Sequence, residues 1–322
     1  MKRRAFLLAA GALAAPFAAR AQSAGLPRIG VIIHSNAWAP IVEGLRAGLK
    51  ELGVAEGKDV ALEVFDAKAD AKAIEETARR FERERVRFIY CTPTSAATVV
   101  KRATSEVPIF FCVGTDPIAS GLVESFAKPG GRLTGVHYLT TDLTAKRLEL
   151  LKDLVPKLRR VVILYRPGHP PAEASARLAR EAGKKLRVQV IERHVRSAPE
   201  IRAALAALKP GEADAIFVVS DALVTSQSQL LIDTAKAMRI PMMVYDQAVA
   251  ERGALVSYGV DSREIGRQSA KLVQRMLAGA RPADLPVENV TRLAFVLNRR
   301  TAREIGIAVP PAMLVRFDRV IE

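Results

Sequence analysis

The chain has 322 residues, 49% of them hydrophobic and 26% charged, a balance that suits a soluble protein with two cores and excludes a disordered chain. Its formal net charge is +15, but the basic residues are scattered over helix faces with no arm or block, so the pattern argues for a basic solvated surface and against a nucleic-acid partner. Two cysteines and four dispersed histidines, with no CxxC and no paired-His spacing, give no metal site that spacing alone would reveal.

The chain opens on an export signal over residues 1–21. Lys2-Arg3-Arg4 is a positive n-region, residues 5–19 are apolar, and Ala19-Arg20-Ala21 is a small-x-small cleavage site ahead of Gln22. The segment is too short, and too soon followed by Pro27 and charge, to span a bilayer. Arg3-Arg4-Ala5-Phe6-Leu7 resembles the twin-arginine pattern, so the general and the twin-arginine routes both stay open. The signal carries four basic residues and no acid, which takes the charge from +15 to +11. Nothing after it is apolar for long enough to be a membrane span, so the expected location is the periplasm.

Beyond the signal, short apolar runs alternate with amphipathic ones. Strands are predicted over 28–33, 60–65, 86–91 and 107–113, with helices over 40–52, 71–85 and 94–104 between them. Pro129-Gly130-Gly131 interrupts the rhythm. It restarts with helices over 143–154, 171–182, 198–208 and 225–238 and strands over 160–165, 187–192, 213–219 and 242–245. A short strand over 255–258, a helix over 262–277, a strand over 293–297 and a short helix from 298 finish the pattern. Two runs of the same strand–helix unit predict two Rossmann-like α/β lobes with parallel sheets covered on both faces. Cys91 and Cys112, each near a strand end, fit two small core residues better than a disulfide, though an oxidising compartment leaves the disulfide open.

In open parallel sheets ligands sit beyond the carboxyl ends of the strands. Those positions carry His34, Ser35, Asn36 and the single tryptophan, Trp38, then Thr92, Thr94 and Ser95, then Gly114, Thr115 and Asp116. In the second run they carry Arg166, Ser220, Asp221 and Asp246, and Tyr258 and Asp261 lie where the chain turns back. Hydroxyls at a helix start suit a carboxylate. Aspartates across a cleft suit an ammonium or hydroxyl donor, and Trp38 suits a flat apolar body. Arg166 could take a second carboxylate or lie on the surface. Singly, each of these residues also reads as an N-cap, a turn group or a surface anchor.

These residues resemble the solute-binding proteins of ABC transporters, in the family that includes tryptophan- and tyrosine-binding members. The resemblance runs through Gly44-Leu45 to Leu52-Gly53, Glu56-Gly57-Lys58-Asp59-Val60, Thr115-Asp116-Pro117 and Gly121-Leu122-Val123. It continues in Pro129-Gly130-Gly131, Leu133-Thr134-Gly135-Val136, Leu148-Glu149-Leu150-Leu151-Lys152 and Gly253-Ala254-Leu255. Ser257-Tyr258-Gly259-Val260-Asp261, Gly266-Arg267-Gln268, Pro282-Ala283-Asp284-Leu285-Pro286-Val287 and Asp318-Arg319-Val320-Ile321-Glu322 complete it. The stretch 34–40 departs from the family pattern. The resemblance implies a hinged, periplasmic-binding-protein type I-like fold crossed three times by the chain. One lobe would be residues 27–139 plus 256–285 and the other 140–255 plus 286–322. It also implies a pocket of Thr92, Thr94, Ser95, Thr115, Asp116, Ser220, Asp221, Asp246 and Tyr258, to which the strand-end reading adds Trp38.

The function expected on this basis is capture of a small ligand, an amino acid or another small carboxylate with or without an aromatic body, in the interlobe cleft by a monomer that delivers it to an ABC permease. No cofactor, metal or nucleic acid is expected. A sensory role beside a chemoreceptor or kinase would look the same in sequence. A secreted enzyme is a weaker alternative, with no nucleophile elbow, zinc motif or phosphate loop behind it, and a regulator of similar build would need a DNA-binding helix pair where the signal stands.

Overall fold

A computed structural model describes residues 25–138 and 140–322, so the export signal expected over residues 1–21 lies outside the described residues. The chain runs β1 (Arg28–Ile33), α1 (Ala39–Glu51), β2 (Ala61–Asp66), α2 (Ala71–Arg83), β3 (Phe88–Thr92), α3 (Thr94–Ala103), β4 (Ile109–Val113), β5 (Leu133–Tyr138) and α4 (Thr144–Leu154). Next come β6 (Arg160–Tyr165), α5 (Pro170–Leu186), β7 (Gln189–His194), α6 (Ala198–Ala206), β8 (Ala215–Phe217), α7 (Ala222–Ser226), α8 (Ser228–Ala237), β9 (Met242–Val244) and α9 (Gln247–Arg252). β10 (Val256–Val260), α10 (Ser262–Leu277), β11 (Glu288–Val290), β12 (Leu293–Asn298), α11 (Arg299–Ile305), α12 (Pro311–Leu314) and β13 (Arg319–Ile321) complete it.

The strands form two sheets, ordered β11-β5-β4-β3-β1-β2 and β13-β12-β10-β9-β8-β6-β7. The first sheet is parallel throughout. In the second, β10 and β12 run antiparallel and the rest are parallel. Each sheet is buried on both faces. In the first, Val31, Tyr90 and Cys112 point into one apolar layer, and Ile32, Ile89 and Cys91 point into the other. That alternation settles the cysteines: Cys91 and Cys112 are free, buried and on opposite faces.

Hydrogen bonding moves two of the lobe boundaries that the resemblance implied. β10, assigned with residues 256–285 to the first lobe, pairs with β9 and β12 of the second sheet. β11, assigned with residues 286–322 to the second lobe, pairs with β5 of the first. The chain therefore passes between sheets after β5, after β10 and after β11. Both strands are short, and periodicity carries no information about which sheet a strand joins.

α10 returns to the first lobe because two glycines let it. A Cβ on Gly44 of α1 would stand 1.9 Å from the Arg263 carbonyl oxygen, and one on Gly266 of α10 would stand 1.8 Å from that of Ile41. The two helices cross at backbone contact, covering the face lined by Leu45, Leu49, Leu272 and Val273.

Candidate functional site

The carboxyl ends of the two sheets border a cleft of about 900 Å³. The first lobe contributes His34, Thr94, Ser95, Thr115, Asp116, Ser120 and His137, and the second contributes Arg166, Gly168, His169 and Pro171. Thr141 and Asp142, on the first crossing, close one side. A small annex of about 40 Å³ is bordered by Trp38, Ser220, Ala222 and Tyr245.

The first-lobe wall is a line of hydroxyls at the open end of a helix. Pro93 stands at the N-cap of α3 and offers no side-chain cap, so Thr94 and Ser95 are the first helical residues and not the caps the sequence also allowed. Thr94 Oγ1 lies 3.0 Å from Thr115 Oγ1, which lies 2.9 Å from Ser120 Oγ. Ser95 Oγ is buried without a partner among the described residues. Uncapped helix N–H groups beside free hydroxyls can hold an oxyanion. Asp116 sits exposed at the mouth, where its Oδ1 accepts from the Ile118 and Ala119 N–H groups. Thr92 is fully buried at the end of β3 and does not line the cleft.

Across the cleft, the expected aspartates are engaged within the fold. Asp221, 1% exposed, accepts from the N–H groups of Leu223 and Val224 through Oδ1 and from that of Arg166 at 2.7 Å through Oδ2. It thereby caps α7 and ties the end of β8 to the end of β6. Asp246 accepts from the Ala248 N–H and, at 2.8 Å, from the Ser262 hydroxyl, which joins α9 to the start of α10. Burial raises its pKa. Ser220 borders only the annex. Trp38 stands between the lobes, in an apolar layer shared with Ala222 of the second, and does not reach the main cleft. Tyr258 sets its ring edge-on to Phe295 at 5.8 Å, within the second lobe's core.

The cleft gathers groups outside the expected set. His34, 5% exposed, meets the Trp38 ring edge-to-face at 5.5 Å. Neither of its ring nitrogens has a partner among the described residues. Burial, then the positive charge of Arg166, pushes its pKa down to about 4, so it is neutral at neutral pH. His169 is lowered for the same two reasons. Its Nδ1, the Nε of Arg166 and Oγ1 of Thr141 are also buried and unpartnered. Buried polar groups are nearly always hydrogen-bonded, so this cluster is open to water or to a polar ligand in the cleft. His34 and Arg166 each follow the last residue of an apolar strand, which is the sequence signal that points to them. His169 and Thr141 carry no such signal.

Further from the cleft, Arg147 is fully buried with no ion pair among the described residues. It donates to the Thr140 carbonyl at 2.8 Å and to Thr144 Oγ1 at 3.0 Å, and its guanidinium lies 5.7 Å from the Tyr245 ring centre. Burial lowers its pKa to about 10. It braces the first crossing from beneath. Among the described residues no cluster of three or more His, Cys, Asp or Glu could hold a metal ion, and no helix is long and apolar enough to cross a membrane.

Two parallel α/β lobes joined by three crossings around a polar cleft define a protein of periplasmic-binding-protein type I-like build. Residues 28–321 match the family described as ABC transporter substrate binding protein, and the chain belongs to that family. It is 26% identical over 266 residues to a tyrosine-binding protein of Clostridioides difficile, covering 82% of this chain and 76% of that one. A conserved domain protein from Vibrio cholerae superposes with a TM-score of 0.83 at 27% identity, over 92% of this chain and 100% of that chain. The ABC domain from Streptococcus pneumonia in complex with L-Trp superposes with a TM-score of 0.82 at 25% identity, again over 92% and 100%.

Proposed function

We propose that this protein is an exported monomer that captures a small carboxylate, an amino acid or an aromatic acid, in the interlobe cleft and presents it to an ABC permease. The observation that carries the reading is the set of buried, unpartnered polar groups lining a single cleft between the lobes. The tyrosine-binding relative and the L-Trp complex support an acid with an aromatic body. In this reading the start of α3, with Thr94, Ser95 and Thr115, receives the carboxylate. Both lobes line the cleft, so a bound ligand favours the closed arrangement through its differential affinity for it. Trp38 and Ala222 then act as the contact on which the lobes close, and Asp221 and Asp246 hold the second wall in shape.

A thermal-shift screen of the purified protein against amino acids, aromatic acids, dicarboxylates, sugars and nucleosides tests this, because a ligand that binds only the folded state raises the melting temperature. A shift with a carboxylate that disappears in Thr115→Val supports the assignment. A shift with sugars or nucleosides alone refutes the carboxylate reading.

A further inference from the structure

We propose that the ligand carries a second carboxylate, held by Arg166 and His169 of the second lobe together with His34, which reaches the same part of the cleft from the first lobe. This rests on the carboxylate-capture reading and adds a substrate class to it. Arg166 follows β6 and lines the cleft. Its Nε is buried without a partner, and among the described residues its guanidinium makes no ion pair. Arg160, at the other end of the same strand, pairs with Asp214 at 2.9 Å. Asp221 is the carboxylate nearest in role, but both of its oxygens are taken by main-chain N–H groups, one of them Arg166's own.

The neighbouring groups have the same character. His34 is only 5% exposed, and among the described residues neither of its ring nitrogens has a partner. His169 Nδ1 is unpartnered too. α5 begins with Pro170 and Pro171, which have no N–H to offer at the helix start, so the donors of this wall are side chains. An arginine fork beside imidazole donors matches a planar carboxylate better than a hydroxyl or an ammonium. The opposite wall, at the start of α3, is a separate oxyanion site across the same cleft of about 900 Å³, a volume near the top of the range for small-molecule sites and more than a lone oxyanion needs. A ligand with an acid group at each end meets both walls.

The test compares matched acids by isothermal titration calorimetry on the purified protein. The pairs are hexanoate with adipate and 3-phenylpropanoate with 4-(2-carboxyethyl)benzoate, with L-Trp and L-Tyr alongside. The expected result is that at least one diacid binds about ten-fold or more tighter than its monoacid partner, the size of one charge-assisted contact. Arg166→Gln is expected to bring that ratio below about three, with Arg166→Lys in between. If Arg166→Gln melts early without ligand, Arg166→Met repeats the measurement. Monoacids or the two amino acids binding as tightly as every diacid, or a ratio unchanged in the variants, overturns the second carboxylate and leaves the capture reading standing. Binding of sugars with no acid bound at all overturns both.

Discussion

His34 offers the sharpest test of the cleft's electrostatics, because its imidazole is buried among groups that oppose its protonation. Its pKa stands at about 4 in the folded protein against 6.5 for a free histidine. Burial is the largest cause and the charge of Arg166 the next; Asp221 opposes them, His169 adds a smaller lowering and Asp66 a smaller opposition. In the unfolded chain the ring takes a proton near its ordinary value. Between about pH 6.5 and 4 the unfolded state therefore binds more protons, and folding stability falls as the pH drops through that window. Above pH 6.5 both states are neutral and the effect vanishes. From pH 7.5 to 5 the loss assigned to His34 comes to ~2 kcal/mol, integrating the difference between the two titration curves. Urea unfolding of the wild type and of His34→Gln at both pH values reads it directly, since every other titrating group is common to the two proteins. The wild type should lose about 2 kcal/mol more than the variant over that interval. NMR titration of the ring gives an independent check. Equal pH dependence in the two proteins, or a His34 resonance titrating near 6.5, refutes the reasoning.

Three further outcomes follow from packing and burial. Arg147→Ala should cost ~3 kcal/mol in urea unfolding, as large-to-small core changes do, while Arg147→Met, which fills the space and removes an unpaired buried charge, should cost far less; the reverse order refutes the view of Arg147 as a buried brace. Gly44→Ala drives a Cβ into the Arg263 carbonyl oxygen at 1.9 Å and should destabilise by roughly 3 kcal/mol or more, whereas Gly48→Ala, whose Cβ would stand 2.6 Å from the Arg267 carbonyl oxygen, should cost less, with chemical denaturation as the measure. Burial pushes the Cys112 thiol up to about 12 and the Cys91 thiol higher still, so a thiol reagent should label neither residue in the folded protein and both in urea without reductant; a requirement for reductant would reveal a disulfide.

The two-lobe α/β architecture was legible in the sequence because periodicity is a local property. The apolar runs now seen as β1, β3, β4 and β6, and the amphipathic stripes of α1, α2 and α10, each carry their own signature over a few turns or residues. β5 was not foreseen. It follows Pro129-Gly130-Gly131, and Gly135 in its middle weakens the strand pattern, yet a Cβ there would stand 2.0 Å from the Phe111 carbonyl oxygen, so only the packed sheet explains the glycine. The helix predicted over 225–238 is broken at Gln227 into α7 and α8, where Asp221 has already fixed the start of the first piece.

The candidate site divides the same way. Sequence by itself determined which chemistry stands at the strand ends, because a residue that follows an apolar strand into a helix start is exposed to that environment wherever the strand goes. Thr94, Ser95 and Thr115, singled out on that ground, line the cleft. Tertiary structure alone decided which polar groups are spent and which are left over. Asp221 and Asp246 are occupied by main-chain N–H groups and by Ser262, while His34 and, far along the chain from it, Arg166 and His169 line one cleft with buried polar atoms unpartnered among the described residues. It also decided that β10 joins the second sheet and β11 the first. The local N-caps of Asp221 and Asp246 are readable in sequence, but their bonds to Arg166 and Ser262 and the membership of each strand in a sheet depend on partners distant along the chain, and no local pattern records them.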